Sequence, residues 1–226
     1  MDLQTFFSST AGKATSGAVI VLILIIIFLM GRQKKSDGTT SPSNVVRSSH
    51  NDTMSLTISA VLIAVSFVLS NITIFHMPQG GTVTPFSMLP IAICSYLIGT
   101  RCGVMAGTAL GLVNLIVNPY VIHPLQLLLD YPIAFASLGI GGPLRNTKAG
   151  LPGVYLVGIF GRFVCSTLSG VVFFASYAEG TGMNPLVYSI VYNGTYIGAE
   201  GIITMIVLLL PPVRSAIDKI KDQINM

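Results

Sequence analysis

Polar and aromatic residues recur within two long apolar stretches in the last third of the chain. Residues 161–200 read GRFVCSTLSGVVFFASYAEGTGMNPLVYSIVYNGTYIGAE, two apolar runs joined by a short polar turn. On the second run tyrosines follow every four residues from Tyr188 to Tyr196, and Asn193 and Glu200 lie close to the same helical face. Because a carboxylate and an amide are costly inside a membrane, they normally face a cavity or a partner. The pattern predicts a helical hairpin with a polar inner surface.

Two acids within apolar runs are candidates for ligand contacts. Glu200 has two interpretations, a structural ion pair with Arg162 on the neighbouring run or a place in a ligand pocket. Asp130 has only His76, His123 and the deeper Arg162 as nearby cationic candidates. Since buried acids are rare, we favour a ligand role for Asp130.

The depths of the polar residues can be estimated from a helical rise of about 1.5 Å per residue, taking the outer loops as the mouth. Asp130 and Asn193 then lie about 9 and 10 Å deep, and Phe174 lies a turn below the outer end of its helix. Ser166 and Glu200 lie at roughly 18 to 21 Å and form a floor. An acid, an amide and aromatic faces at one level suit a flat, aromatic, cationic ligand.

The composition is that of an integral membrane protein. The chain has 226 residues, of which only 9% are charged, against about 25% in soluble domains. Its mean hydropathy is +0.77, and its apolar runs are near the ~20 residues of a spanning helix rather than the ~10 of a barrel strand. The net charge of +4 does not indicate nucleic-acid binding, because the basic residues are scattered at helix ends. Three cysteines show no metal-ligand spacing, so no metal or other cofactor is predicted.

The runs predict an all-α fold, a six-helix bundle preceded by one extra N-terminal transmembrane helix. Residues 1–35 form an uncleaved anchor whose apolar run is followed by basic residues. Residues 36–53, rich in Ser, Thr and Asn, form a flexible cytoplasmic linker. Residues 54–226 hold the six core spans, which we place at Met54–Phe75, Pro85–Thr100, Gly103–Val117, Pro124–Gly141, Leu151–Tyr177 and Leu186–Leu210.

The positive-inside rule orients these spans. With the first core span entering from the cytoplasm, the three outer loops contain no Lys or Arg. We therefore expect a multi-pass protein of the cell membrane with a cytoplasmic C-terminus. The basic residues that fall inside are Arg101, Arg145, Lys148, Arg214, Lys219 and Lys221.

Small residues at four-residue spacing predict two close helix contacts. Gly103, Gly107 and Gly111 on the third core span favour packing within the bundle. Ala60 and Ala64 on the first core span have the same spacing, although alanine pairs are common in membrane helices.

Catalysis finds no support in the motifs. The chain has no HExxH metal motif, no GxSxG elbow and no phosphate-binding glycine loop followed by Lys. We predict that it is not an enzyme.

Four segments together resemble the thiamine-specific S component of energy-coupling-factor transporters, from about Met54 to Pro211. They are MPQGGTVTPFSML (77–89), HPLQLLLDYPIAFASLG (123–139), SGVVFFASYA (169–178) and NPLVYSIVYNGTYIGAE (184–200). The resemblance implies a six-helix subunit that captures thiamine from outside with high affinity. It also implies a transmembrane coupling subunit and two ATPase subunits as partners.

The resemblance also assigns individual residues. The family's binding acid and the tyrosine after it fall on Asp130 and Tyr131, and its tyrosine and asparagine five residues apart fall on Tyr188 and Asn193. Its docking pair falls on the two alanines of the first core span. The loop that covers the pocket falls on Pro78, Gln79, Gly80 and Gly81.

Three substitutions depart from the family pattern. Phe174 and Ser166 stand where family members carry Trp and His, and Asp130 stands where others carry Glu. Phenylalanine keeps a stacking face with a weaker quadrupole, whereas serine cannot stack. The sequence thus predicts thiamine uptake by an S component. The alternatives are an S component for a relative such as a thiamine precursor, or a secondary transporter of another cationic heterocycle.

Overall fold

The computed structural model describes residues 42–225 except residue 79, with side chains described for 53–224. The predicted anchor at 1–35 and Gln79 of the predicted pocket cover lie outside the described residues, as does the start of the predicted linker.

Helices and one short β-hairpin make up the regular structure of the described residues. In chain order the elements are α1 (Pro42–Ser70), β1 (Phe75–His76), β2 (Thr82–Val83), α2 (Leu89–Leu97), α3 (Thr100–Val117), α4 (Pro124–Leu128), a π-helical turn (Leu129–Ile133), α5 (Ala134–Ser137), a 3-10 turn (Gly142–Asn146), α6 (Gly150–Phe173), a 3-10 turn (Ala175–Ala178), α7 (Pro185–Leu209) and α8 (Pro211–Asn225).

Five stretches of the described chain are long and apolar enough to cross a membrane. They coincide with five of the six predicted core spans, at Thr53–Ser70, Thr100–Val117, Pro124–Asn146, Gly150–Phe173 and Pro185–Leu209. The remaining prediction, Pro85–Thr100, is too long. Helix α2 has only nine residues, about 13 Å of rise, and α3 begins directly after Gly99, whose φ is 137°. This segment is apolar because protein surrounds it, with Ile91, Ala92 and Cys94 fully buried.

Helix α1 begins earlier than expected. Residues 42–53, predicted as part of a flexible linker, are helical. Proline is tolerated in the first helical turn, and the chain from Ser43 to Ser70 contains no Gly or Pro that would interrupt the helix.

The glycine stripe of α3 does lie against neighbouring backbone, as its spacing predicts. A Cβ on Gly111 would lie 2.5 Å from the Tyr131 carbonyl oxygen, and one on Gly107 would overlap the Phe135 backbone. Gly103 faces Ser95 of α2 in the same way. Helix α3 can therefore approach α2 and the π-helical turn closely. This close contact fixes the position of the π-helical turn at the bundle interior.

The hydrophobic core joins α2, α3, α5, α6 and α7. Its largest fully buried side chains include Met88, Ile91, Leu110, Leu138 and Tyr155. The outer faces of α1, α6 and α7 instead expose large aliphatic residues, as expected for surfaces that contact lipid.

Candidate ligand-binding cavity

A cavity of about 760 Å³ lies between the hairpin, α3, the π-helical turn, α6 and α7. Its size is that of pockets that enclose small organic molecules. Most predicted site residues line it, namely Asp130, Tyr131, Ser166, Phe174, Tyr188, Asn193, Glu200, Gly80 and Gly81. The predicted docking residues Ala60 and Ala64 lie elsewhere, exposed on α1.

Asp130 is presented by the π-helical turn. Pro132 lies inside this turn, where its missing N–H and its ring are incompatible with a regular helix. The Asp130 carboxylate accepts a hydrogen bond from the Gln126 side-chain amide at 2.7 Å, and the Ser169 hydroxyl and the Arg162 guanidinium also interact with it. Gln126 is itself 1% exposed and also contacts the Tyr120 carbonyl oxygen, at 3.1 Å. Asp130 is thereby oriented with acceptor capacity left over.

Tyr131 holds the loop between α3 and α4. Its hydroxyl donates to the Asn118 carbonyl oxygen and accepts from the Tyr120 amide, both at 2.8 Å. Its ring lines the cavity while its polar end is engaged by this loop. Tyr131 therefore shapes the wall as well as facing the cavity.

Phe174 belongs to a three-ring stack. Its ring centroid lies 5.9 Å from that of Tyr120 and 5.8 Å from that of Tyr177, with interplanar angles of 19° and 7°. The hydroxyls of the two tyrosines share a hydrogen bond of 2.9 Å. Burial and this bond raise the pKa of Tyr120 to about 12, so its hydroxyl stays protonated at neutral pH.

Asn193 joins α6 and α7. Its side-chain amide donates to the Ser189 carbonyl oxygen at 2.9 Å and to the Ser166 carbonyl oxygen at 3.3 Å. The Tyr196 hydroxyl donates back to the amide oxygen at 3.0 Å. Because Ser166 and Asn193 are in contact, the prediction that Ser166 lies on a deeper floor is wrong. The error came from counting rise along two helices without knowing their relative register.

Glu200 is held by neutral donors. Its carboxylate accepts from the Thr84 hydroxyl at 2.6 Å, the Ser87 hydroxyl at 3.0 Å and the Met88 amide at 3.0 Å. The ion pair with Arg162 is not formed in the described structure, where the Arg162 guanidinium instead lies 4.2 Å from the centre of the Phe135 ring. Glu200 anchors the segment that leads into α2.

The predicted pocket cover is the hairpin of β1 and β2, hereafter the hairpin, residues 75–83 without residue 79. Phe75 pairs with Val83, and His76 with Thr82. Gly80 at its tip has a φ of 89°, which glycine adopts without strain. The Gly81 amide donates to the Tyr192 hydroxyl at 2.9 Å. The hairpin thus lies against α7 beside the cavity.

Sequence reasoning missed several residues of this site. Gln126 could have been found, since residues four apart on a helix contact each other. Tyr120 and Tyr177 could not, because their stacking depends on how a loop and a 3-10 turn meet. Within the described residues no group of three or more His, Cys, Asp or Glu side chains is placed to hold a metal ion.

Comparison with known proteins identifies the fold and the family. The family model described as "Thiamine transporter protein" matches residues 56–219. The chain belongs to this family. It is 35% identical to the thiamine transporter ThiT of Bacillus subtilis over 167 residues, which cover 67% of this chain and 86% of that protein. It is 29% identical to ThiT of Lacticaseibacillus paracasei over 140 residues, or 54% of this chain and 69% of that one.

A solved structure of ThiT from Listeria monocytogenes has the same fold. Its TM-score to this chain is 0.61 at 24% identity, and the match covers 71% of this chain and 96% of that one. The resemblance read from the four motifs and the prediction of an all-helical membrane protein are confirmed. Membership of a transporter family also indicates transport rather than catalysis.

Proposed function

We propose that this protein captures thiamine from outside the cell in the described cavity. The observation that carries the proposal is the placement of Asp130 on the π-helical turn, with free acceptor capacity, in a cavity that the Phe174 stack also lines. The aminopyrimidine ring of thiamine carries an amino donor for a carboxylate, and its thiazolium ring carries a positive charge that aromatic faces attract. The family match supports this choice of ligand.

The protein acts as the S component of an ATP-driven energy-coupling-factor transporter in the cell membrane, with its C-terminus in the cytoplasm. Ala60 and Ala64 support this assignment, since they are exposed on α1 and small enough for close approach of a helix from a coupling subunit. Two ATPase subunits complete the assembly. The absence of Lys and Arg from the outer loops supports the orientation.

A thiamine precursor is the second candidate ligand. At the position of the family's histidine, Ser166 offers the cavity no ring, and its carbonyl oxygen is engaged by Asn193. A ligand that needs only the Asp130 side of the cavity, such as the aminopyrimidine fragment, would lose least from this change.

Calorimetric titration of the purified protein with thiamine, its pyrimidine fragment and its thiazole fragment tests the ligand. We expect thiamine to bind more tightly than either fragment. Tighter binding of the pyrimidine fragment would identify the protein as a precursor transporter instead, and no binding of all three would contradict the proposal.

The coupling mechanism is tested by uptake in cells. Thiamine uptake should require the ATPase subunits and resist ionophores. Ala60→Trp or Ala64→Trp should abolish uptake and leave thiamine binding to the isolated protein intact, because only the docking surface is blocked. Uptake that persists without the ATPase subunits and collapses with an ionophore would indicate a secondary transporter.

A further inference from the structure

Helix α1 is attached to the bundle along one side. On that side the Ser66 hydroxyl donates to the Ser87 carbonyl oxygen, and the Ser70 hydroxyl donates to Asn114 Oδ1 at 3.2 Å. In its most apolar stretch only 6% of the residues are buried, against 22 to 44% in the other four spans. Among the described spans, α1 therefore has the most surface left for a neighbour.

The outer side of α1 is an apolar stripe at helical spacing. Val61, Val65 and Val68 are 57%, 43% and 58% exposed, and residues spaced in this way share one side of a helix. The stripe runs along about 16 Å of the span. The residues of this surface, hereafter the α1 face, are Ala60, Val61, Ala64, Val65, Val68 and Ile72.

The chain itself carries an apolar segment that precedes this face in the sequence. Residues 14–30 read ATSGAVIVLILIIIFLM, contain no charged residue, and lie outside the described residues. An uninterrupted apolar run of this length is near that of a spanning helix. Since the family match begins only at residue 56, this segment is an addition to the part of the chain that the family shares.

The connection between this segment and α1 is short. Residues 31–41 carry three basic residues, which predict a cytoplasmic end for the segment. Helix α1 begins at Pro42 and rises about 17 Å before its apolar stretch starts at Thr53. A flexible chain as long as the connector spans about 18 Å between its ends, so a return along these turns to the membrane surface uses most of its reach. The segment is thereby kept beside α1 and antiparallel to it.

Side-chain sizes at matching depths are complementary. With the cytoplasmic ends of the two apolar stretches level, equal rise places Ile23 at the depth of Ala60. It places Ala18 at the depth of Val65. Large residues opposite small ones allow two helices to interdigitate, and such packing drives helix association in lipid. Because a short tether gives an effective concentration in the millimolar range, even weak packing is sufficient.

We propose that residues 14–30 form a membrane helix that packs antiparallel on the α1 face and competes there with the coupling subunit. The competition rests on the proposed function, which assigns Ala60 and Ala64 to the docking of that subunit. The contact between the segment and α1 does not depend on that assignment. The segment then acts as an autoinhibitory cover that the coupling subunit displaces when the transporter assembles.

Disulfide cross-linking of the full chain in membranes tests the contact. Val61→Cys is combined with substitution to cysteine at each of residues 18–26 in turn, and trypsin then cleaves the connector at its basic residues. The N-terminal fragment should stay joined to α1 until reduction, with a maximum near Leu22 and a repeat of three to four residues. Ile202→Cys is the matched control, because Ile202 is 65% exposed at a similar depth on α7. The chain without Val61→Cys measures cross-links to the native cysteines.

Two results of this scan would overturn the inference. Equal cross-linking to Val61→Cys and to Ile202→Cys would mean that the segment moves freely in the lipid. Cross-links that form only between differently tagged copies would make the α1 face an interface between two molecules.

Titration with the purified coupling subunit of the same organism tests the competition. A chain lacking residues 1–35 should bind that subunit about 5- to 150-fold more tightly than the full chain, which is the usual range of coupling between two binding events. Excess coupling subunit should also abolish the cross-link to Val61→Cys in the full chain, and this tests the competition if the shortened chain does not fold.

The outcomes separate the inference from the proposed function. An intramolecular cross-link that persists in excess coupling subunit, with equal affinities of the full and shortened chains, would overturn the competition. The same cross-link in a protein that binds no coupling subunit in either form would contradict the proposed function while supporting the contact between residues 14–30 and the α1 face.

Discussion

The two acids that line the cavity, Asp130 and Glu200, both lie in apolar stretches of the sequence but have different surroundings in the structure. Glu200 is 3% exposed and accepts three hydrogen bonds from the segment leading into α2. Asp130 is partly exposed to the cavity, where Gln126 donates a hydrogen bond to it at 2.7 Å and Ser169 and Arg162 also interact with it. A carboxylate whose acceptor sites are filled by protein stabilises the fold, whereas one with sites left open can bind a ligand. Glu200 is thus both more buried and better supplied with protein donors than Asp130, which keeps acceptor sites open to the cavity.

The largest effect should come from removing Glu200. Glu200→Ala leaves the Ser87 hydroxyl and the Met88 amide without their acceptor, each at a cost of about 1 to 3 kcal/mol, while the Thr84 hydroxyl keeps only its contact with the Ser87 hydroxyl at 2.7 Å. The melting temperature in detergent should fall steeply. Glu179→Ala, which removes an exposed acid from the loop before α7, should leave it unchanged. A Glu200→Ala protein that melts like wild type but fails to bind thiamine would make Glu200 a ligand residue.

Asp130→Asn should reduce ligand binding rather than stability, the reverse of Glu200→Ala. It keeps the shape of the side chain and replaces a charged acceptor with a neutral amide, and a charge-assisted hydrogen bond contributes roughly 1.5 to 3 kcal/mol. Thiamine affinity should therefore fall about tenfold to more than a hundredfold, with little change in melting temperature. Calorimetric titration measures the thiamine affinity. Equal affinities of wild type and Asp130→Asn would assign Asp130 a structural role and remove the contrast with Glu200.

The sequence predicted which residues reach the cavity better than what each one does there. Four-residue spacing and the rarity of acids in membrane helices were enough to identify Asp130, Asn193 and Glu200 as inward-facing. The donors to Glu200 could not be predicted, because they come from a segment more than a hundred residues earlier whose path depends on the hairpin and on Phe86.

The lengths of some helices could be predicted from the sequence, whereas others depend on the tertiary structure. The long spans followed from their apolar runs, since lipid requires about 20 apolar residues whatever the neighbours are. The short length of helix α2 could not be predicted in this way, because a run of buried residues in a protein core has the same composition as a run in lipid. The hairpin was also unforeseen, as strands of two residues leave too short a pattern to detect.

Asn193 tests whether one residue can both stabilise the fold and bind the ligand. It connects α6 to α7 through the Ser166 carbonyl oxygen and also lines the cavity. Asn193→Ala also removes a neutral hydrogen bond to the proposed ligand, worth about 1 to 1.5 kcal/mol. Thiamine affinity should therefore fall about five- to twelvefold, less than for Asp130→Asn. The melting temperature should fall modestly in the same variant. A larger loss of affinity than that of Asp130→Asn would reverse the order of the two residues and make the amide the main ligand contact.

The smallest effect concerns Phe174, whose ring stacks on Tyr120 and Tyr177 and lines the cavity. Phe174 stands where the resemblance places the family's Trp, and its ring stacks on both Tyr120 and Tyr177 at centroid distances of 5.9 and 5.8 Å. An indole has a stronger quadrupole than a phenyl ring, and cation–π contacts at partly exposed sites contribute about 0.5 to 1 kcal/mol. Phe174→Trp should therefore tighten thiamine binding by about two- to fivefold.

Phe173→Trp provides the control for Phe174→Trp, because Phe173 is the adjacent residue but stacks on His123 at 4.9 Å outside the cavity lining. Since the chain contains no Trp, each variant also introduces a single indole whose fluorescence reports its surroundings. Thiamine should quench the indole at 174 and leave the one at 173 unchanged. Quenching of both to the same extent, or weaker binding by Phe174→Trp, would mean that the stack closes the wall without touching the ligand, so that recognition depends on Asp130 and its side of the cavity.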